Sequence, residues 1–158
     1  MKHSRTAAVA LALVAFAAAS AQAQTQTVTF AVNAINQIAF TGAPSLTITT
    51  AVAGAAPTAA TDASAKWAVT CNQTGAKISA STPAMPAGLT LSVNLTAPAV
   101  GSSLGLTAIG TTATDLVTGI TKTNGSNLGV TYQLDATVAA GVVTSSTRLV
   151  TYTITGGT

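Results

Sequence analysis

In several segments of this sequence, apolar side chains alternate with small or polar ones, most often threonine. Successive side chains of a β-strand point to opposite faces, so this alternation predicts strands that bury one face and expose the other. Threonine strengthens the prediction, because branching at Cβ suits the pleated backbone and disfavours the helix. No window beyond the N-terminal region has the spacing of an amphipathic helix. The sequence therefore predicts an all-β protein.

Several segments carry the alternation clearly, and each is expected to be a strand with one buried face. The residues predicted to point inward are Val28, Phe30 and Val32; Leu46 and Ile48; Trp67, Val69 and Cys71; Leu89, Leu91, Val93 and Leu95; Val130, Tyr132, Leu134, Ala136 and Val138; and Val150, Tyr152 and Ile154.

Turn-forming residues separate these segments. Asn124-Gly125 predicts a type I′ hairpin turn between a strand around 116–122 and the Val130 strand, because Asn-Gly tolerates positive φ at both central positions. Residues 51–64 are rich in Ala, Pro and Thr and predict a long surface loop. Turns at such short spacing indicate an antiparallel β-sandwich of Greek-key, immunoglobulin-like type with about seven to nine strands. A closed β-barrel is the alternative.

The first residues predict an export signal. Lys2, His3 and Arg5 form a positive region, 7–19 is an unbroken apolar run, and Ala21-Gln22-Ala23 has the small-x-small pattern of a cleavage site. The run is shorter than the roughly 20 apolar residues that a membrane anchor needs. We therefore expect a signal peptide over 1–23, a single β-sandwich domain over 24–158, and a secreted or cell-surface location. No second long apolar stretch follows, so no membrane span is expected after cleavage.

The charge of the exported chain is close to zero. Removing Lys2 and Arg5 leaves four of the six basic residues against three aspartates, a net charge of +1. Nucleic acids and anionic membrane surfaces are bound by clustered basic residues, which this chain lacks. The sequence therefore excludes nucleic acid as an expected partner.

The residue types used in catalysis are nearly absent. The single His, His3, lies in the predicted signal, there is no Glu, and Asp62, Asp115 and Asp135 lie on separate segments. These residues give no nucleophile–histidine pair, no paired carboxylates and no zinc ligand set. We therefore expect a protein that is not an enzyme and uses no cofactor or metal. Cys71 follows Trp67 and Val69 in the inward phase and is expected to be a buried thiol, the alternatives being a reactive or intermolecular cysteine.

Exposed aromatic rings would indicate a sugar-binding surface. Phe30, Trp67, Tyr132 and Tyr152 all fall on the apolar phase of their predicted strands, so they are expected in the core. A glycan-binding platform therefore has few rings available.

Both ends of the predicted domain resemble those of secreted bacterial fibre and pilus subunits. The first mature strand, Thr27-Val28-Thr29-Phe30-Ala31-Val32, and the Tyr-containing terminal strand over 148–155 match the layout of subunits that donate an N-terminal strand to a neighbour. Many chaperone-assembled pilins carry a disulfide, which one cysteine cannot form. The resemblance implies that Val28, Phe30 and Val32 fill a groove in the next subunit.

Two functions are left open. The first is a non-enzymatic structural protein that self-associates into a homo-oligomer or fibre through its first strand. The second is a small extracellular module that binds a glycan or a protein. In the first case, the strand over 26–32 either completes its own sandwich, which is slightly favoured, or adds to a neighbour's sheet.

Overall fold

The structure is a computed structural model that describes residues 22–158. The predicted signal peptide, 1–23, lies almost entirely outside the described residues. The all-β prediction is confirmed, since the only helical element described is a 3₁₀ turn at Val138–Ala140. The strands are β1 (Asn36–Thr41), β2 (Ala60–Asp62), β3 (Lys66–Cys71), β4 (Ala76–Ser81), β5 (Leu89–Leu95), β6 (Ser102–Ser103), β7 (Thr107–Ile109), β8 (Thr114–Ile120), β9 (Thr123–Ala136) and β10 (Thr151–Thr155).

Two antiparallel sheets form the sandwich, which occupies residues 33–158. The first sheet has the order β1-β3-β9-β5-β7, and β2 pairs with the second half of β9 beyond the end of β3. The second sheet has the order β10-β4-β8-β6. Each sheet has free outer edges in the described part of the chain, so the barrel alternative is wrong. The ten strands slightly exceed the number expected, because β2, β6 and β7 are only two or three residues long.

The core lies between the inward faces of the two sheets. In β3 the burial alternates strictly. Trp67, Val69 and Cys71 are buried as predicted, while Lys66 and Ala68 on the opposite face are partly exposed. The largest fully buried side chains come from both sheets, and they are Trp67, Val93, Leu95 and Val130 of the first sheet and Ile78, Leu116, Val117 and Ile120 of the second.

The strand predicted at Leu46 and Ile48 is absent, although both side chains are half-buried. Beyond β1, the chain returns beside 57–65, as shown by the Thr58 N–H to Thr50 carbonyl bond and the Ala51–Pro57 bridge. The Ser45 N–H donates to the Asp62 carboxylate at 2.9 Å instead of to a carbonyl. At Ser45, a hydrogen bond to a side chain therefore takes the place of a backbone hydrogen bond between strands. The predicted loop over 51–64 also contains β2.

Asn124-Gly125 does not form the predicted hairpin turn. Both residues lie inside β9, where Asn124 pairs with Thr70 and Gly125 with Val69. The reversal occurs earlier, at Thr121 and Lys122, and Lys122 has a φ of 41°. Because β8 and β9 belong to different sheets, this connection crosses the sandwich and no two-residue hairpin turn is required.

The strand predicted around Val130 is close to its expected position and forms the second half of β9. Val130 and Tyr132 of β9 are buried, and Leu134 and Ala136 are partly exposed. The strand ends at Ala136, because the chain enters the 3₁₀ turn, and the predicted inward residue Val138 is exposed.

Candidate functional site

The segment of residues 24–32, called the arm, is not a strand of the described structure. No residue between 22 and 35 lies in a strand, and Val32 marks the boundary between the sandwich and a separate preceding unit. Val28, Phe30 and Val32 are 72, 89 and 79% exposed. The prediction that they form a strand with a buried face, and that Phe30 belongs to the core, is therefore wrong for the single chain. The apolar residues of the arm alternate as in a strand, and among the described residues they are exposed.

The sandwich begins directly after the arm. Asn72 holds this point, because its side-chain amide donates to the Asn33 carbonyl at 2.8 Å and its Oδ1 accepts the Ile35 N–H at 2.7 Å. The Asn72 N–H also donates to the Ile35 carbonyl. Asn33 is therefore fixed to the loop after β3, with no free linker between it and Val32.

One side of the sandwich carries two free strand edges, β1 in the first sheet and β10 in the second. We call the boundary between them the seam. The Phe40 and Tyr152 rings stack across it with centroids 3.9 Å apart. A Cβ placed at Gly156 would lie 2.7 Å from the side-chain amide nitrogen of Asn36. Since Phe40 contacts Tyr152 and the earlier Asn36 lies near the later Gly156, β1 and β10 run antiparallel across the seam. Side chains close the seam, and no backbone hydrogen bond is described across it.

The apolar side chains of the seam are half-buried. Val150, Tyr152 and Ile154 alternate along the last strand and its approach, and they pack against the core without being covered on their outer side. Their alternating neighbours Thr151, Thr153 and Thr155 are exposed. The free edge of β10 therefore presents an uncharged row with three half-buried apolar side chains.

A tyrosine pair lies beneath the seam. The hydroxyls of Tyr132 and Tyr152 are 2.7 Å apart. Burial raises the pKa of Tyr132, with a further increase from the negative charge of Asp62, while its hydrogen bond to Tyr152 opposes the rise. Burial also raises the pKa of Tyr152, and Tyr132 adds to that rise. Both rings remain neutral well beyond physiological pH.

The other side of the sandwich is built differently. Its edges are β6 and β7, which are two and three residues long, and short edge strands offer little template for another strand. Val100, Leu104 and Leu106 are exposed in the loops around them.

The three aspartates have separate structural partners. Asp62 accepts the backbone N–H groups of Ser45 and Ser64 and the Ser64 hydroxyl, and these bonds lower its pKa. Asp115 forms an exposed ion pair with Lys77 at 3.0 Å, and Asp135 accepts both its bonds from the Gln133 amide. Within residues 22–158, no three His, Cys, Asp or Glu side chains come together as metal ligands. Cys71 is a free, buried thiol.

Among the described aromatic residues, Phe30 of the arm is the most exposed. Trp67 is buried and its indole N–H donates to the Thr96 carbonyl at 3.1 Å, so its ring offers no face to a sugar. Tyr132 is also buried. Phe40 and Tyr152 are half-buried and stacked on each other at the seam, which leaves Phe30 as the one exposed ring among the described residues.

No protein-family model, curated protein or solved structure matches this chain. In the part of the chain that the structure describes, no helix is both long and apolar enough to cross a membrane.

Proposed function

We propose that this protein is a non-enzymatic, secreted structural subunit that assembles by adding its arm to the sandwich of a second copy. The observation that carries the proposal is the exposure of Val28, Phe30 and Val32 on one phase of an uncharged segment. Exposed apolar alternation without a partner is the pattern of a strand awaiting a sheet. Complete burial of each such side chain would contribute about 1.5–3 kcal/mol.

The free edge of β10 is the best match for the arm. Three half-buried apolar positions at 150, 152 and 154 have the same spacing as the three in the arm. Every described strand pair is antiparallel, so an antiparallel arm continues the second sheet. In this register Val32 lies opposite Val150, Phe30 opposite Tyr152 and Val28 opposite Ile154. The arm then covers the seam and supplies β10 with its missing backbone partners.

This mode of pairing produces a fibre. The donating surface is the arm and the accepting surface is β10, so the interface is heterologous and each added copy leaves a new free edge. Fibres of this kind serve a structural role outside the cell, in line with the predicted signal peptide and the near-zero charge of the exported chain.

Charge introduced on either phase of the arm tests the proposal. Phe30→Asp places a carboxylate on the apolar phase, and Thr29→Asp places the same charge one residue away on the polar phase. Light scattering and electron microscopy of the exported form should show assemblies for wild type and for Thr29→Asp, and monomers for Phe30→Asp. Deleting residues 24–32 should give a folded monomer that binds a synthetic peptide of that sequence.

Three outcomes would contradict the proposal. Wild-type protein that stays monomeric at high concentration shows that no assembly occurs. Equal assembly of the two aspartate variants would show that the apolar side chains of the arm are not needed for assembly. Assembly of the protein without residues 24–32 shows that another surface joins the copies.

A further inference from the structure

A second exposed apolar surface lies in the loop that leads into β10. This loop, residues 137–149, is called the lead-in loop. Val142 is fully exposed, Leu149 is 76% exposed, and Val138 is exposed as well. Arg148 is the loop's one charged residue. Exposed valine and leucine in a loop that leads into a strand with an open edge are candidates for an interaction surface.

The lead-in loop is anchored at one end of the sandwich. The Thr137 N–H donates to the Gly88 carbonyl at 2.9 Å, and the Arg148 Nε donates to the Ala84 carbonyl at 3.3 Å. Both ends of the lead-in loop are therefore held beside the 82–88 loop. Leu149 is next to Val150, the first of the three apolar positions proposed to receive the arm.

We propose that the lead-in loop is the docking surface for the sandwich of the donating copy. The inference rests on the proposed function and adds a second contact to it. With Val32 of the donor opposite Val150, the donor's Asn33 lies opposite Leu149. One residue spans at most about 3.6 Å, and Asn33 is fixed to Asn72 of its own sandwich. The donor's sandwich therefore lies against the lead-in loop, because the chain offers no slack to hold it away.

The chemistry of the two ends of the sandwich agrees with this placement. The donor contributes the end that contains Asn72, Gln73 and Lys122, which is polar apart from the exposed Ile35. A parallel arm would put two such polar ends, each with a Lys122, against one another. The antiparallel arm instead puts the polar end of one copy against the apolar lead-in loop of the next, where Val142 and Leu149 are covered.

The test separates docking from arm binding. Val142→Asp/Leu149→Asp changes the lead-in loop, and Val100→Asp/Leu104→Asp places the same charges on exposed apolar residues at the opposite edge. Assembly is followed by light scattering on the full exported chain. Binding of the labelled arm peptide, residues 24–32, is measured on the same pairs of substitutions in the protein that lacks the arm. Circular dichroism confirms folding, which substitutions at such exposed positions should preserve.

We expect the lead-in loop variant to need at least tenfold more protein to assemble while binding the arm peptide within about twofold of its parent. The opposite-edge variant should match its parent in both measurements. Unchanged assembly of the lead-in loop variant, or loss of peptide binding along with assembly, would overturn the inference. If the peptide fails to bind even the parent, strand donation itself fails, which is a different result.

Discussion

The hydroxyls of Tyr132 and Tyr152 form a 2.7 Å hydrogen bond between the two sheets of the sandwich. Tyr132 lies on β9 in the middle of the first sheet, and Tyr152 lies on β10 at the edge of the second. Phe40 of β1 stacks on Tyr152, so the Tyr152 side chain makes both the stacking contact and the hydrogen bond to Tyr132. This arrangement holds the last strand in place while its outer edge remains free.

Removing either hydroxyl should weaken the sandwich. Tyr152→Phe and Tyr132→Phe each delete one partner of the bond, and we expect a loss of about 1 kcal/mol in the free energy of unfolding, with the stacking left intact. The double variant should lose less than the sum of the single losses, because the interaction can be lost only once. Urea unfolding of the four proteins measures this coupling, and strictly additive losses would show that the hydrogen bond contributes nothing.

Stability should fall at alkaline pH. The folded state raises the pKa of both tyrosines, so it retains their protons at a pH where the unfolded chain loses them. The contribution is complete below the unfolded pKa of about 10 and declines as the pH rises above that value. Urea midpoints from pH 8 to 11.5 measure the decline. The Tyr132→Phe/Tyr152→Phe variant is the control and should show a flatter profile; the same slope in both proteins would assign the decline to other groups.

Substitution by alanine should destabilise the protein much more at Gly88 than at Gly125. Gly88 has a φ of +79°, and a Cβ there would lie 2.7 Å from the Thr137 hydroxyl oxygen and 2.8 Å from the Ala140 nitrogen. Gly88→Ala should cost about 1–3 kcal/mol. Gly125 has no positive φ, and the one close approach of its Cβ would be to the flexible end of Leu128, at 3.1 Å. Gly125→Ala should change stability by less than about 1 kcal/mol. Thermal unfolding compares them, and a large loss for Gly125→Ala would favour a tight turn at that residue.

Cys71 should contribute packing and no chemistry. Its side chain is buried, so Cys71→Ala should cost about 1 kcal/mol or somewhat more through lost burial, and assembly should persist. Thr70→Ala, at the exposed neighbouring position, is the matched control and should cost less. A bulky thiol reagent should label the protein only after unfolding. Rapid labelling of the native protein would show that the thiol is accessible.

Alternation predicted β3, β5, β9 and β10, but it did not predict β1 or β4. The large apolar side chains of β3 and β5 are spaced two residues apart, so their burial follows from the sequence, although Ser92 of β5 is buried as well. The sequence does not predict β4, because two of its inward residues, Ala76 and Ala80, are too small to give a strong apolar signal.

Two features depend on long-range pairing that a local pattern does not contain. Asn124-Gly125 has the composition of a hairpin turn, yet β8 and β9 lie in different sheets, so the chain turns elsewhere. The arm has the composition of a buried strand, but its alternation does not specify which sheet receives it. The exposure of Phe30 and the free edge of β10 emerge only from the folded chain.

Cross-linking between two separately prepared proteins tests the account most directly. In the proposed register Thr29 of one copy lies directly opposite Thr153 of the next, a separation that a disulfide can span. Thr29→Cys protein mixed with Thr153→Cys protein and oxidised under assembly conditions should give a covalent dimer in high yield. Ser103→Cys on β6 replaces Thr153→Cys as the control and should give little. A dimer that forms equally with Ser103→Cys, or an assembled mixture that yields no dimer with Thr153→Cys, would contradict addition of the arm to β10.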